Sequence, residues 1–275
     1  MSKFDEILPY IWLLKSESSD GVSNVRLLGG ALCIHPTGIL ISVTHAVKPN
    51  SPFFNEAASV TFTARRHADT TGFRPVDMIE NTQGSEFGLS LFRVHNLEEN
   101  ENEVFDVFPL PNSVAFKMGV KVFAFVYEVF PFSGAFGYLC QSYDSNPSFS
   151  VPVPGGVRTV GSVVSHTHMK RICDSMSRDS RICDVIERQD FYESLRKLNP
   201  DLALIQTQNL VRTTLDGQCG WPVFTEKTNK LVGLIAFSVG FFQFLIPAQI
   251  LREVLHRNLV ILGLDETLAP ESEVA

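Results

Sequence analysis

GGALCIHPTGILISVTHAV, residues 29–47, sets two runs of aliphatic and β-branched residues on either side of a short turn that contains Pro36 and Gly38. Val25 to Ile34 and Ile39 to Val43 read as neighbouring strands, and the turn signals between them favour a tight reversal. Similar runs recur outward along the chain. They lie at Ser59 to Phe62, Leu89 to Val94, Lys121 to Val126, Thr159 to Ser165, Ala203 to Gln206, Leu231 to Phe237 and Phe241 to Ile246, separated by stretches rich in Gly, Pro, Asn, Asp and Ser. Short strands at this spacing suit β-barrels or a sandwich. The 22 Phe residues beside 18 Gly and 15 Pro point the same way, toward half-buried strands punctuated by turns. The expected class is all-β.

Two segments break the strand pattern. From Lys170 to Leu198 the residues are mostly charged or helix-tolerant, with Ile182, Val185, Ile186, Phe191 and Leu195 spaced for one apolar helical face, so a helical insertion is expected within about 166–200. After Ile246, Pro247 suits a first helical turn, and Ile250, Leu251, Val254 and Leu255 follow at helical spacing, which predicts a closing helix from about Ala248 to Arg257. The acidic and Asn-rich stretch His95 to Asp106 marks a junction between two domains. The expected division is 1–112, 113–258 with the insertion and closing helix, and an acidic tail 259–275.

The charge balance narrows the function. Twenty-three Lys and Arg against 30 Asp and Glu leave a net charge of -7, without the electrostatic footprint of a phosphate-backbone binder, so nucleic acid is not the expected partner. Arg65, Arg66 and His67 read as a short solvated basic face. Leu231 to Ile250 is interrupted by Gly, Ser, Gln and Pro, so no membrane span is expected. Five cysteines form no C-x-x-C pair, and the amino-terminal residues lack signal-peptide features, which suggests thiols in a reducing compartment: cytoplasm, nucleus or peroxisome. His166, His168, Cys173 and Cys183 follow no metal-ligand spacing, and no metal or other cofactor is expected.

The sharpest chemical feature is DGQCGWPVF, Asp216 to Phe224, where a cysteine sits between glycines in a stretch that reads as a tight turn into a strand. Gly217 and Gly220 allow positive φ or close approach, and successive N–H groups around such a turn can converge on one point. The same residues also suit a buried structural cysteine in an ordinary turn.

Taken together, the motifs resemble those of trypsin-like peptidases. GGALCIHPTGILISVTHAV is similar to the segment that leads to the catalytic histidine of T-A-A-H-V, DGQCGWPVF to G-N-S-G-G-P-V, and LVGLIAFSVGFFQFLIPAQILREVL and DLALIQTQ to segments of the HtrA/DegP branch. TTLDGQCG also resembles the T-x-x-G-x-C-G of picornaviral processing proteases. The resemblance implies a chymotrypsin-like fold of two six-stranded antiparallel β-barrels, without a PDZ domain, and a cysteine endopeptidase acting on peptide or protein substrates. It implies His45 as general base, Cys219 as nucleophile, and the N–H groups of Gly217 and Cys219 as oxyanion donors. The third catalytic position falls on Gly88 in one register and on Glu86 in another, with Asp77 a further candidate. The substrate pocket would be formed by Thr213, Thr214, Ile235, Ala236, Phe237 and Ser238, with apolar selectivity. The other reading is a catalytically weakened homologue that binds peptides or proteins, suggested by Gly88 and by Trp221, whose indole is expected to narrow the cleft.

Overall fold

The computed structural model describes residues 6–19, 24–44, 59–66, 72–80, 82–83, 87–95, 104–111, 120–126, 157–163, 203–207, 219–239 and 242–264. A 3-10 turn at Leu8–Tyr10 leads into β1 (Ile11–Ser19), followed by β2 (Asn24–His35), β3 (Ile39–Val43), β4 (Ser59–Arg66), β5 (Arg74–Met78) and β6 (Leu89–Val94). The second set comprises β7 (Lys121–Val126), β8 (Val157–Val163), β9 (Ala203–Thr207), β10 (Pro222–Thr225), β11 (Leu231–Val239) and β12 (Phe242–Pro247), and the helix α1 (Ala248–Leu262) ends the described chain.

All described strand pairs are antiparallel. The first sheet runs β1-β2-β3-β6-β5-β4 and closes through β1 on β4, with Leu14 opposite Ala64. The second runs β10-β11-β12-β9-β8-β7 and closes through three pairs between β10 and β7: Val223 with Ala124, Phe224 with Phe123, and Thr225 with Val122. Closure removes the exposed edges that an open sheet would present.

Alternation along the first barrel sorts its side chains onto two buried faces. Trp12, Leu14, Ala31, Cys33, Leu40, Ala64, Val76, Phe92 and Val94, drawn from all six strands, form the barrel interior, which Phe105 plugs with its ring 5.8 Å from that of Trp12. The opposite residues, Ile11, Leu13, Leu32, Ile34, Ile39, Ile41, Val43, Leu89 and Leu91, join a second cluster that continues into Val122, Phe123, Trp221, Phe224, Leu234 and Phe244 of the other barrel and into α1. This is why ILISV is apolar almost throughout: each residue of β3 is buried whichever way it points. The face between the barrels is thus itself a core.

The junction segment takes part in that core. Phe105 fills the first barrel, while Phe108 stacks edge-on with Tyr10 at 5.3 Å and with Phe224 at 5.1 Å. The described part of the connection, 104–111, is a packed strap between the barrels.

The helix α1 extends beyond the predicted Arg257 to Leu262 and so runs into the residues assigned to the tail. Gly263 stops it with φ +67°, its N–H donating to Val260 O while Leu264 N–H reaches back to Leu259 O, the paired bonds of a Schellman motif. The helical insertion within 166–200, the residues beyond 264 and His67 lie outside the described residues. Among the described residues, no helix is long and apolar enough to cross a membrane.

Candidate functional site at the barrel seam

The seam forms where β2 meets the turn before β10. Gly30 N–H donates to Cys219 O at 3.0 Å, while Gly30 O accepts the Ser42 hydroxyl at 2.7 Å. On the other side Gly220 N–H donates to Ile235 O at 2.7 Å, and Ile235 N–H donates to Trp221 O at 2.9 Å. Cys219 therefore sits on a turn held by a strand of each barrel. Its thiol is not in a disulfide, and the residue is partly exposed, whereas Gly220 and Trp221 are buried.

The local sequence requirement is steric. A Cβ on Gly30 would lie 2.6 Å from Trp221 Cα, and one on Gly220, whose φ is +82°, would lie 2.1 Å from Gly30 O. Only glycine lets the two backbones approach this closely. Trp221 is fully buried and belongs to the core between the barrels. The expectation that its indole narrows a cleft is corrected here: the ring fills the interior beneath Cys219.

The other sequence-derived site residues fall into three groups. His45, Glu86, Gly217, Thr213 and Thr214 lie outside the described residues. Ile235 and Ala236 are on β11 and buried, Ile235 completely, and Phe237 and Ser238 continue the same strand. Gly88 adopts φ +71°, and its carbonyl accepts the Thr44 N–H at 2.8 Å, one residue before His45. Asp77 does not serve a dyad at the seam, because its carboxylate is bound to His95 Nε2 at 2.7 Å on the outer side of the first barrel.

The Cys/His endopeptidase mechanism is corrected on these grounds. Each described histidine is engaged away from Cys219: His35 Nδ1 with the Thr37 hydroxyl at 2.9 Å, His95 with Asp77, and His256 Nε2 with Arg252 Nε at 3.2 Å. No described group of His, Cys, Asp or Glu residues is placed to hold a metal ion. The described residues thus assemble neither a thiolate–imidazole pair nor a metal centre. Cys33, the other described cysteine, is enclosed in the first barrel, and burial pushes its thiol up to about 12.

No protein-family model matches the chain, and no curated protein matches it. The assignment to trypsin-like peptidases, with its HtrA-like and picornaviral parallels, is withdrawn because the described residues bring no histidine to Cys219, and the chymotrypsin-like name for the fold, which rested on that assignment, goes with it. The strand order and pairing given above describe the architecture without that name.

Several residues that shape the seam carried little sequence signal. Gly30 was visible as a glycine inside a strand, a usual mark of close backbone approach. Ser42 stood out only as the one polar residue in ILISV. Nothing in the local sequence around Asn258 or Gln83 marked their contact across 175 positions.

Proposed function

We propose that the chain is a peptide- or protein-binding module, in which an extended partner segment docks along the barrel seam at Cys219. The observation that carries this reading is the clamped turn: Cys219 is partly exposed, while its carbonyl and the two residues after it are fixed by Gly30 and Ile235. A ledge already rigid before binding spares the partner the cost of ordering it. Closed sheets offer no free edge for strand addition, so recognition rests on side-chain contacts and on the turn's own backbone groups. The net charge of -7 disfavours an acidic segment, so the partner expected to bind carries apolar side chains.

Fluorescence anisotropy with two labelled unstructured peptides of equal length, one rich in Leu, Ile and Phe and one rich in Asp and Glu, tests the reading. The apolar peptide should bind, Cys219→Trp should abolish that binding, and mass spectrometry should recover the peptide intact. Failure of both peptides to bind, or unchanged binding by Cys219→Trp, would overturn it. Cleavage that disappears in Cys219→Ala would overturn the non-hydrolytic part.

A further inference from the structure

We propose that Asn258 and Arg257 on α1 are positioning residues for the Cys219 seam. The proposal rests on the binding reading for its functional meaning, but its structural basis is separate. Asn258 is fully buried, and its amide mimics a peptide group: Oδ1 accepts the Gln83 N–H at 2.7 Å, while Nδ2 donates to Gln83 O at 2.6 Å and to Val254 O at 2.6 Å. One side chain of the second half of the molecule thereby grips both backbone groups of a first-barrel loop residue. Four positions along that loop, the Arg257 guanidinium lies 5.8 Å from the centre of the Phe87 ring. The helix holds the β5–β6 connection at two points.

From that connection a run of hydrogen bonds, with one strand pairing among them, leads to Cys219. Gly88, adjoining Phe87, accepts the Thr44 N–H, and the Thr44 hydroxyl bonds the Ser90 hydroxyl at 2.9 Å. Ser90 faces Ser42 across the β3–β6 pair, Ser42 bonds Gly30 O, and Gly30 N–H bonds Cys219 O. Every step from Gly88 to Cys219 is a hydrogen bond except Ser90 to Ser42, which is a strand pairing, so the loop held by the helix is linked to the seam through one run of contacts. Arg93 anchors the far end of the helix, its Nη2 donating to Leu262 O at 2.7 Å.

The test uses the full chain with Asn258→Ala, Arg257→Ala and a control, Ile250→Ala, which removes buried helix surface without touching the loop. Two readouts follow this run of contacts: hydrogen exchange of the Thr44 amide and iodoacetamide alkylation of Cys219 in the native state. Asn258→Ala should speed Thr44 exchange about tenfold beyond the control. It should also change the Cys219 alkylation rate about threefold or more, with Arg257→Ala giving a smaller change in the same direction. If neither variant moves either readout further than Ile250→Ala does, the positioning role is overturned and the clasp is structural only. Should Asn258→Ala fail to fold, Arg257→Ala decides by the same criterion, since that side chain is partly exposed. Peptide affinity measured on the same proteins separates the two proposals: a wild type that binds no peptide ends the binding reading, while exchange and alkylation still decide the positioning role.

Discussion

At Gly30 the requirement is a missing side chain. A methyl group there would meet both the Trp221 backbone and its indole at 2.6–2.7 Å, and backbone cannot rotate out of the way. Gly30→Ala should therefore destabilise the protein by about 3 kcal/mol or more, measured by urea unfolding, because overpacking is relieved only by moving the two barrels apart. The two described cysteines make a contrasting pair. Cys33 is inaccessible and holds its proton to about 12, whereas Cys219 is partly exposed, so at pH 8 iodoacetamide should modify Cys219 at least about tenfold faster. Peptide mapping after timed quenching reads the ratio. His35 supplies a pH dependence. Its Nδ1 accepts the Thr37 N–H at 3.3 Å, so the neutral ring carries its proton on Nε2, and burial lowers its pKa from the ordinary 6.5. A folded-state pKa below the unfolded value means that the unfolded chain takes up a proton the native protein resists. This contribution to stability is complete above pH 6.5 and declines as pH falls toward the lowered value, with a limiting slope of about 1.4 kcal/mol per pH unit. His35→Gln should flatten the fall in unfolding free energy between pH 6.5 and 5.

At the scale of elements, α1 shows how a local sequence can understate a tertiary contact. Asn is a poor helix-interior residue, and the apolar positions read at helical spacing end at Leu255, yet the helix continues past Arg257 because the Asn258 amide is satisfied by Gln83 and Val254. Removing it with Asn258→Ala leaves the Gln83 N–H and C=O without that partner, at an expected cost of about 2–3 kcal/mol in thermal or urea unfolding. The strands divide by the same logic. Ile39–Val43, Leu89–Val94 and Lys121–Val126 take the bounds read from sequence, because dense β-branched and aromatic runs between turn signals have few alternatives. β1 escaped notice: Ile11 and Leu13 face the seam core while Trp12 and Leu14 face the barrel interior, so burial on both faces erased the alternation. β5 escaped for the opposite reason, since RPVDM buries only Val76 and carries Pro75 at its second position, where a proline signals a turn. The candidate site was legible as a motif, Gly217 to Gly220 around Cys219. What the motif could not convey was Trp221 beneath it, because a burial direction is set by the partner strand, and Gly30 lies 191 positions earlier. The resemblance went further than the chain supports, since short Gly-rich turns and strand-end histidines recur wherever tight reversals are needed.

Across the whole molecule, the decisive feature is that the larger core belongs to neither barrel alone. The cluster that begins with Ile11 and Leu32 of the first barrel passes through Trp221 and Phe224 and ends on Leu255 and Leu259 of α1, while Phe105 and Phe108 on one strap pack into both regions. Separating the barrels would expose this apolar surface and break the Gly30–Cys219, Asn258–Gln83 and Arg93–Leu262 bonds together. A unit joined this way should unfold in one transition, unlike two domains with small polar interfaces. The chain carries a built-in means of checking this, because it has two tryptophans, one in each region. Trp12 lies inside the first barrel and Trp221 at the seam. In Trp221→Phe the fluorescence reports the first barrel, and in Trp12→Phe it reports the seam. For each variant, the urea transition followed by tryptophan emission should coincide with that followed by far-ultraviolet circular dichroism, which sees both sheets at once. Seam fluorescence that changes before the circular dichroism signal would mean that the barrels part while still folded, and the shared core would then be a weaker tie than its burial implies.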